Sequence, residues 1–162
     1  MILNEFNRNV ELHGERIKCR KGCSACCSQI FRITPLDSWI VKDHIKNLSD
    51  PEKEILLEKA LAYKIHDPCP ALGESGECTI YEARPVICRK FGIPIYDYKK
   101  PGKIFACELN FADGEEIHDD ILIEEQTKIG IYWDKLKDEF EKHYPGKPLT
   151  IAETIISALS EK

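Results

Sequence analysis

The sequence predicts a mainly α fold, a small helical domain around a cysteine-rich, metal-stapled irregular middle region with little β structure. Three observations carry that expectation. Apolar residues recur at helical spacing in segments toward both ends of the chain. Between those segments the chain is broken by Pro68, Pro70, Pro85, Pro94 and Pro101. All eight cysteines lie between positions 19 and 107, whereas methionine occurs once. With 162 residues the chain can bury one core, and it reads as a single domain over 1–162. Within it, residues 17–110 form the cysteine module and residues 121–162 the C-terminal helices.

Residues 2–17 place Ile2, Phe6, Val10 and Ile17 at helical spacing, weakened by Gly14. After the cysteine loop, IFRI (30–33) reads as a short strand-like piece. Thr34 is the expected N-cap of the next helix, with Pro35 at its first position and Asp37 three residues after the cap. That helix carries Leu36, Trp39, Ile40 and Ile45 and should end near Leu48. Asp50-Pro51-Glu52 repeats the start signal for a helix through Ile65, and the two helices are expected to pair as an antiparallel hairpin.

From His66 to Lys103 the chain is irregular, and such a stretch buries too little apolar surface to order itself without help. Pro85 opens a short helix through Phe91 that contains Cys88. Phe91, Tyr96, Tyr98 and Phe105 alternate with lysines, which predicts a core-packed hairpin with exposed Lys90, Lys99, Lys100 and Lys103. Residues 108–125 are acidic. Ile129, Trp133, Leu136 and Phe140 then mark an amphipathic helix within 121–144, stopped by Gly146 and Pro148. Thr150 and Glu153 form a capping box for a last helix containing Ile151, Ile155, Ile156 and Leu159.

Composition narrows the function. With 43% hydrophobic residues the chain is not disordered. A net charge of −5 argues against a general nucleic-acid binder, which needs a basic surface. No apolar run reaches the roughly 18–20 residues of a membrane helix. The opening MILNEFNRNV reads as neither a secretory signal nor a lipidation site, and the expected location is the cytoplasm.

The cysteines are Cys19, Cys23, Cys26, Cys27, Cys69, Cys78, Cys88 and Cys107. In a reducing compartment clustered cysteines bind metal or do redox work more often than they form disulfides. Inert buried thiols would scatter over helices and strands, yet four of these fall within the nine residues 19–27. A Cys-x-x-Cys step aims two thiolates at one metal, and Gly22, Ser24 and Ala25 leave the backbone room to approach. Adjacent side chains diverge, so Cys26 and Cys27 are not expected to share one tetrahedral ion easily. Lys18, Arg20, Lys21, Arg84, Arg89 and Lys90 flank the cysteines, placed to lower thiolate pKa values and neutralise the site. All eight cysteines are therefore candidate metal ligands. The histidines (His13, His44, His66, His118, His143) are scattered, with no His-x-x-His or His-Glu-x-x-His. His66, three residues before Cys69, could ligate, although a surface histidine at a helix end is the plainer reading.

The run CRKGCSACC, followed by CPALGESGECTIYEARPVICRKFG and Cys107, resembles the YkgJ-type cysteine-cluster family, also called the CxxCxxCC family. That family is described as chelating zinc or iron. The likeness covers about residues 17–110, and the first gap of three residues (Arg20, Lys21, Gly22) departs from the usual two. A related module in flagellin lysine-N-methylases implies an iron–sulfur cluster that supports methyl transfer, in proteins much longer than this one.

Spacing does not separate zinc from iron–sulfur. A closed zinc site takes four thiolates and contributes folding energy directly. A cluster also takes four cysteines, often three from a compact run such as Cys19, Cys23 and Cys26 plus one distant beside a proline, as Cys69 is. The run C-x2-C-x2-C itself is absent. Eight thiolates suffice for two sites, and a [4Fe–4S] cluster is preferred to zinc because one zinc staple needs fewer cysteines. Two classes follow. One is a metal-binding module acting structurally, in metal handling, or as a redox component for an unknown protein partner. The other is an enzyme using its cluster in group (methyl) transfer, with substrate near Tyr81, Arg84 and Tyr98. No phosphate loop or dinucleotide fingerprint is present.

Overall fold

The computed structural model describes residues 2–20 and 22–160. Mainly α structure is what it has: six α-helices, three short 3-10 turns and one two-stranded hairpin among the described residues. The chain divides into two compact units, one of residues up to 20 with 86–139, the other of residues from 21 to 85 with those from 140 onward.

The first unit begins with helix α1 (Ile2–His13), which ends at Gly14, where φ is +50°. A 3-10 turn (Gly14–Arg16) follows. The helix is where the apolar spacing puts it, but its buried face is polar. Glu5, Asn9 and His13, each four residues from the last, are buried, while Leu3, Val10 and Leu12 are exposed. The reason is a set of partners distant in sequence. Arg8 grips Glu5 at 2.8 Å and Asp119 at 2.7 and 3.0 Å, a two-sided carboxylate fork. Asn9 Nδ2 donates to Glu5 Oε1 at 2.9 Å, and Gln126 Nε2 donates to the same oxygen at 3.2 Å.

Helix α4 (Val86–Lys90) packs on α1 and is followed by the antiparallel pair β1 (Ile95–Tyr96) and β2 (Ile104–Phe105), in register Ile95 with Phe105. The hairpin forms as expected, but it is not core-packed, since Ile104 and Phe105 are exposed. The acidic stretch is tied back to the N-terminal segment. Asp113 accepts from the Arg16 guanidinium at 2.8 and 3.0 Å, and that guanidinium lies 4.8 Å from the Phe111 ring centre. Helix α5 (Leu122–His143) buries Leu122, Gln126 and Ile129; its inward stripe starts about two turns earlier than the expected one, and Leu136 is exposed.

The second unit is conventional. Helix α2 (Pro35–Lys46) starts where the cap signal places it, with Thr34 Oγ1 accepting from Asp37 N at 3.1 Å. Helix α3 (Asp50–Ala62) opens on a capping box of Ser49 and Glu52. Helix α6 (Ile151–Ser160) opens on Thr150 and Glu153, whose groups bond reciprocally at 2.7 and 3.2 Å. The expected α2–α3 hairpin is not the main packing: both helices pack chiefly on α6. Helix α6 buries Ile151, Ala152, Thr154, Ile155 and Ala158, enough apolar surface to serve two neighbours. A buried polar contact joins α2 to it, between Ser38 Oγ and Thr154 Oγ1 at 3.1 Å. The IFRI piece contributes a single antiparallel bridge, Ile33 to Leu149, with bonds of 2.8 and 3.2 Å.

Candidate metal centre

Five cysteines belong to the second unit: Cys23, Cys26, Cys27, Cys69 and Cys78. Gly22 precedes them with φ +87°, a conformation that costs glycine nothing. A 3-10 turn (Ala25–Ser28) follows, its first bond running from Cys27 N to Ser24 O at 2.8 Å. The second strip of cysteine chain folds as a tight turn between Cys69 and Thr79. Leu72 and Cys78 form an antiparallel bridge, Gly73 N donates to Glu77 O at 2.7 Å, and Thr79 N donates to Ala71 O at 2.9 Å. These bonds leave Cys69 and Cys78 on the two arms of one turn. Cys69 N then donates to Cys27 O at 2.7 Å, tying the turn to the cysteine loop.

The result is a neighbourhood of four thiols. Cys27 is held well above the ordinary thiol range, first by its hydrogen bond with Cys26, then by burial and by the charges of Cys26, Cys69 and Cys78. Cys26 is pushed down to about 6, chiefly because the Cys27 thiol donates to it, with help from the positive charge of Arg84. Cys69 is pushed up to about 11 by burial, with Cys78 and Cys26 adding to the effect.

Of the flanking basic residues, Arg84 acts on this group. Its guanidinium lies 3.7 Å from the ring centre of Tyr81, so the aromatic face seats the charge near Cys26. Lys18 is instead 3.7 Å from Glu15, and Lys90 is shifted down by burial, facing Glu5 and Asp97. Lys21 lies outside the described residues. A pocket of about 260 Å³ opens beside Cys69, lined by Lys59, Ala62, Tyr63, Asp67, Pro68, Pro70 and Leu72. His66 is exposed at φ +83°.

Cys19, Cys88 and Cys107 belong to the first unit. Cys107 is buried, and Cys88 sits in α4. Cys19 packs against Gly92 so closely that a Cβ there would fall 2.4 Å from its sulfur. Asn110, a residue sequence reasoning missed, reaches both segments: its Nδ2 donates to Gly92 O at 2.5 Å and lies 3.6 Å from Cys19 Sγ. Among the described residues no disulfide joins the cysteines, and no three Cys, His, Asp or Glu side chains converge closely enough to enclose an ion. The four thiols of the second unit are gathered rather than closed. Their chemistry nonetheless fits a thiophilic metal: soft sulfur donors with a cation, Arg84, nearby.

Residues 18–104 match the CxxCxxCC family, described as "Putative zinc- or iron-chelating domain". The chain belongs to this family. No curated protein and no solved structure matches it. The CxxCxxCC match takes in Cys19 through Cys88 and stops short of Cys107. Metal chelation therefore attaches to the segment in which the gathered thiols lie. No described helix is long and apolar enough to cross a membrane.

Proposed function

We propose that this CxxCxxCC chain is a metal-binding module that holds a [4Fe–4S] cluster in preference to zinc, in service of a partner protein. The observation that carries the reading is the turn that holds Cys69 and Cys78 on its two arms and is tied to the Cys26–Cys27 loop by the bond from Cys69 N to Cys27 O at 2.7 Å. In a cube each thiolate binds a different iron, so two neighbouring sulfurs can both ligate without crowding one tetrahedral ion. Arg84 offsets part of the net negative charge that four thiolates leave on either kind of centre. Cys19, Cys23, Cys88 and Cys107 complete the ligand candidates. When bound, a cluster would supply one-electron chemistry; the chain's own residues position the sulfurs and neutralise them.

Metal and acid-labile sulfide analysis with a visible spectrum, on protein purified without oxygen, tests this. About four iron and four sulfide per chain with a brown colour is the expected result. Colourless protein with one or two zinc ions and no sulfide would replace the cluster with a zinc staple. A second reading, group transfer at the centre, is favoured by the pocket beside Cys69. It predicts that a lining substitution such as Tyr63→Ala abolishes transfer while metal content is kept.

A further inference from the structure

We propose that the outer edge of β2 is a docking site for an acidic, extended segment of a partner protein, which adds to the β1–β2 hairpin as a third strand. The proposal deepens the service to a partner named above and rests on that reading, while the metal centre does not enter it. Successive side chains of a strand point to opposite faces. Ile104 and Phe105 are 42% and 51% exposed, so neither face of β2 is covered. In an antiparallel pair, alternate residues turn N–H and C=O away from the neighbouring strand. Among the described residues, the backbone of Ile104 and Phe105 pairs only with β1, and the outward groups of β2 meet no other segment.

The edge is held in place rather than loose. Tyr98 donates its hydroxyl to Asp134 of α5, and Lys99 lies 2.5 Å from the same carboxylate. The Tyr98 ring rests on Gly130, where a Cβ would fall 2.8 Å from a ring carbon. Asp97 closes the turn, its Oδ1 accepting from Lys99 N at 3.0 Å and its carbonyl from Lys100 N at 2.8 Å. An ordered edge costs an incoming strand less entropy than a mobile one.

Charge selects the occupant. Residues 95–106 hold three lysines and one aspartate in a chain of net charge −5. Asp134 takes up Lys99, which leaves Lys100 and Lys103 exposed and without an ion-pair partner among the described residues. Lysine beside a free edge repels strands of its own charge. A strand of alternating acidic and apolar residues instead meets the lysines with carboxylates and the exposed apolar pair with its other face. Guarding the edge alone would not call for apolar side chains on both faces of β2. Phe105 is the one exposed ring within residues 95–106, too little for a row of stacked bases.

The test uses the full chain purified without oxygen, with a short synthetic peptide of alternating valine and glutamate as the probe. The comparison probes are its valine–lysine counterpart, oligouridine and phosphatidylserine vesicles. Expected is saturable binding of the valine–glutamate peptide, with backbone amide NMR shifts confined to residues 95–106 and slowed exchange of the β2 amides. Lys100→Glu combined with Lys103→Glu should bind it roughly tenfold more weakly, and Phe105→Ser should also lose affinity. Methylating the backbone nitrogens of the peptide should abolish binding, since it removes the donors to the edge. Should Phe105→Ser fail to fold, the lysine variant decides, because both of its side chains are exposed and unpaired. No binding of the peptide, equal binding of the valine–lysine peptide, unchanged affinity in the lysine variant, or preference for oligouridine or vesicles overturns the proposal. Metal content is measured on the same samples: docking without metal removes the cluster reading alone, and metal without docking removes the edge site alone.

Discussion

Helix α1 of the first unit turns Glu5, Asn9 and His13 inward, whereas helix α6 of the second turns in Ile151, Ala152, Ile155 and Ala158. The two helices have similar lengths and lie near opposite ends of the chain. What differs is the kind of core each serves. A buried carboxylate holds only if charge and hydrogen bonds meet it, so the first unit depends on specific distant partners, Arg8 with Asp119 and Gln126. An apolar face tolerates approximate partners, so the second unit's helical layer is robust. Its weak part is the irregular chain beside that layer, where Cys69 and Cys78 lie. Order there comes from a few backbone bonds and, on the proposed function, from metal.

The sharpest way to break the second unit is therefore chemical rather than hydrophobic. Cys69→Ser, in protein purified without oxygen, should lose most of its metal. Structural tetrathiolate metal contributes on the order of 10 kcal/mol to folding, so this is the largest effect expected. Hydrogen exchange should accelerate over residues 64–85 while α2, α3 and α6 stay protected. Uniform exchange across the unit, or unchanged metal content, would mean that the thiols do not hold this segment.

The first unit should break at Glu5. Glu5→Gln removes the charge that Arg8 and two amides converge on, and breaking a buried pair from one side costs about 3 kcal/mol. In the second unit Ile155→Val, at a position with no exposure, should cost about 1 kcal/mol. Denaturant unfolding of the two variants gives the ratio. Equal losses would remove the distinction between a core that needs particular partners and one that needs only volume.

Much of the second unit was legible in the sequence, because its signals are local. Thr34-Pro35 and Asp37, or Thr150 and Glu153, are start signals whose bonds close within three residues. The polar face of α1 was not legible. Glu5, Asn9 and His13 keep a strict four-residue period, yet periodicity reads as burial only when the side chains are apolar. Glu5 is met by Gln126, 121 positions away, and the Arg8 that grips Glu5 is itself held by Asp119, 111 positions from Arg8. The cysteines sit between these cases. Spacing pointed to metal, but the grouping of Cys26, Cys27, Cys69 and Cys78 depended on the Cys69–Thr79 turn and its bond to Cys27, which spacing cannot encode. Asn110 gave no signal at all, being one polar residue in an acidic stretch.

The smallest effect, and the finest probe of the polar core, is its response to acid. His13 is buried and packs edge-on against Phe111, ring centres 5.0 Å apart. Burial lowers its pKa below the ordinary 6.5, with Arg16 and Arg8 acting in the same direction and the charge of Asp119 opposing. The folded chain therefore keeps His13 neutral at pH values where the unfolded chain has begun to protonate it. Above 6.5 neither state holds the proton and the group contributes no pH dependence. As pH falls below 6.5 the unfolded state binds more protons, so stability drops through the window between 6.5 and the lower folded value. His13→Phe keeps an aromatic ring against Phe111 and has nothing to titrate, so denaturant unfolding between pH 7 and pH 5 should give a flatter curve than the wild type. Carboxylates held low by arginine, such as Asp113 beside Arg16, lose their contribution only at more acidic pH, below the ordinary carboxylate value of 3.8. A wild-type curve already flat across the histidine window would show that His13 is reached by water and that the first unit's polar face opens more readily than its hydrogen bonds suggest.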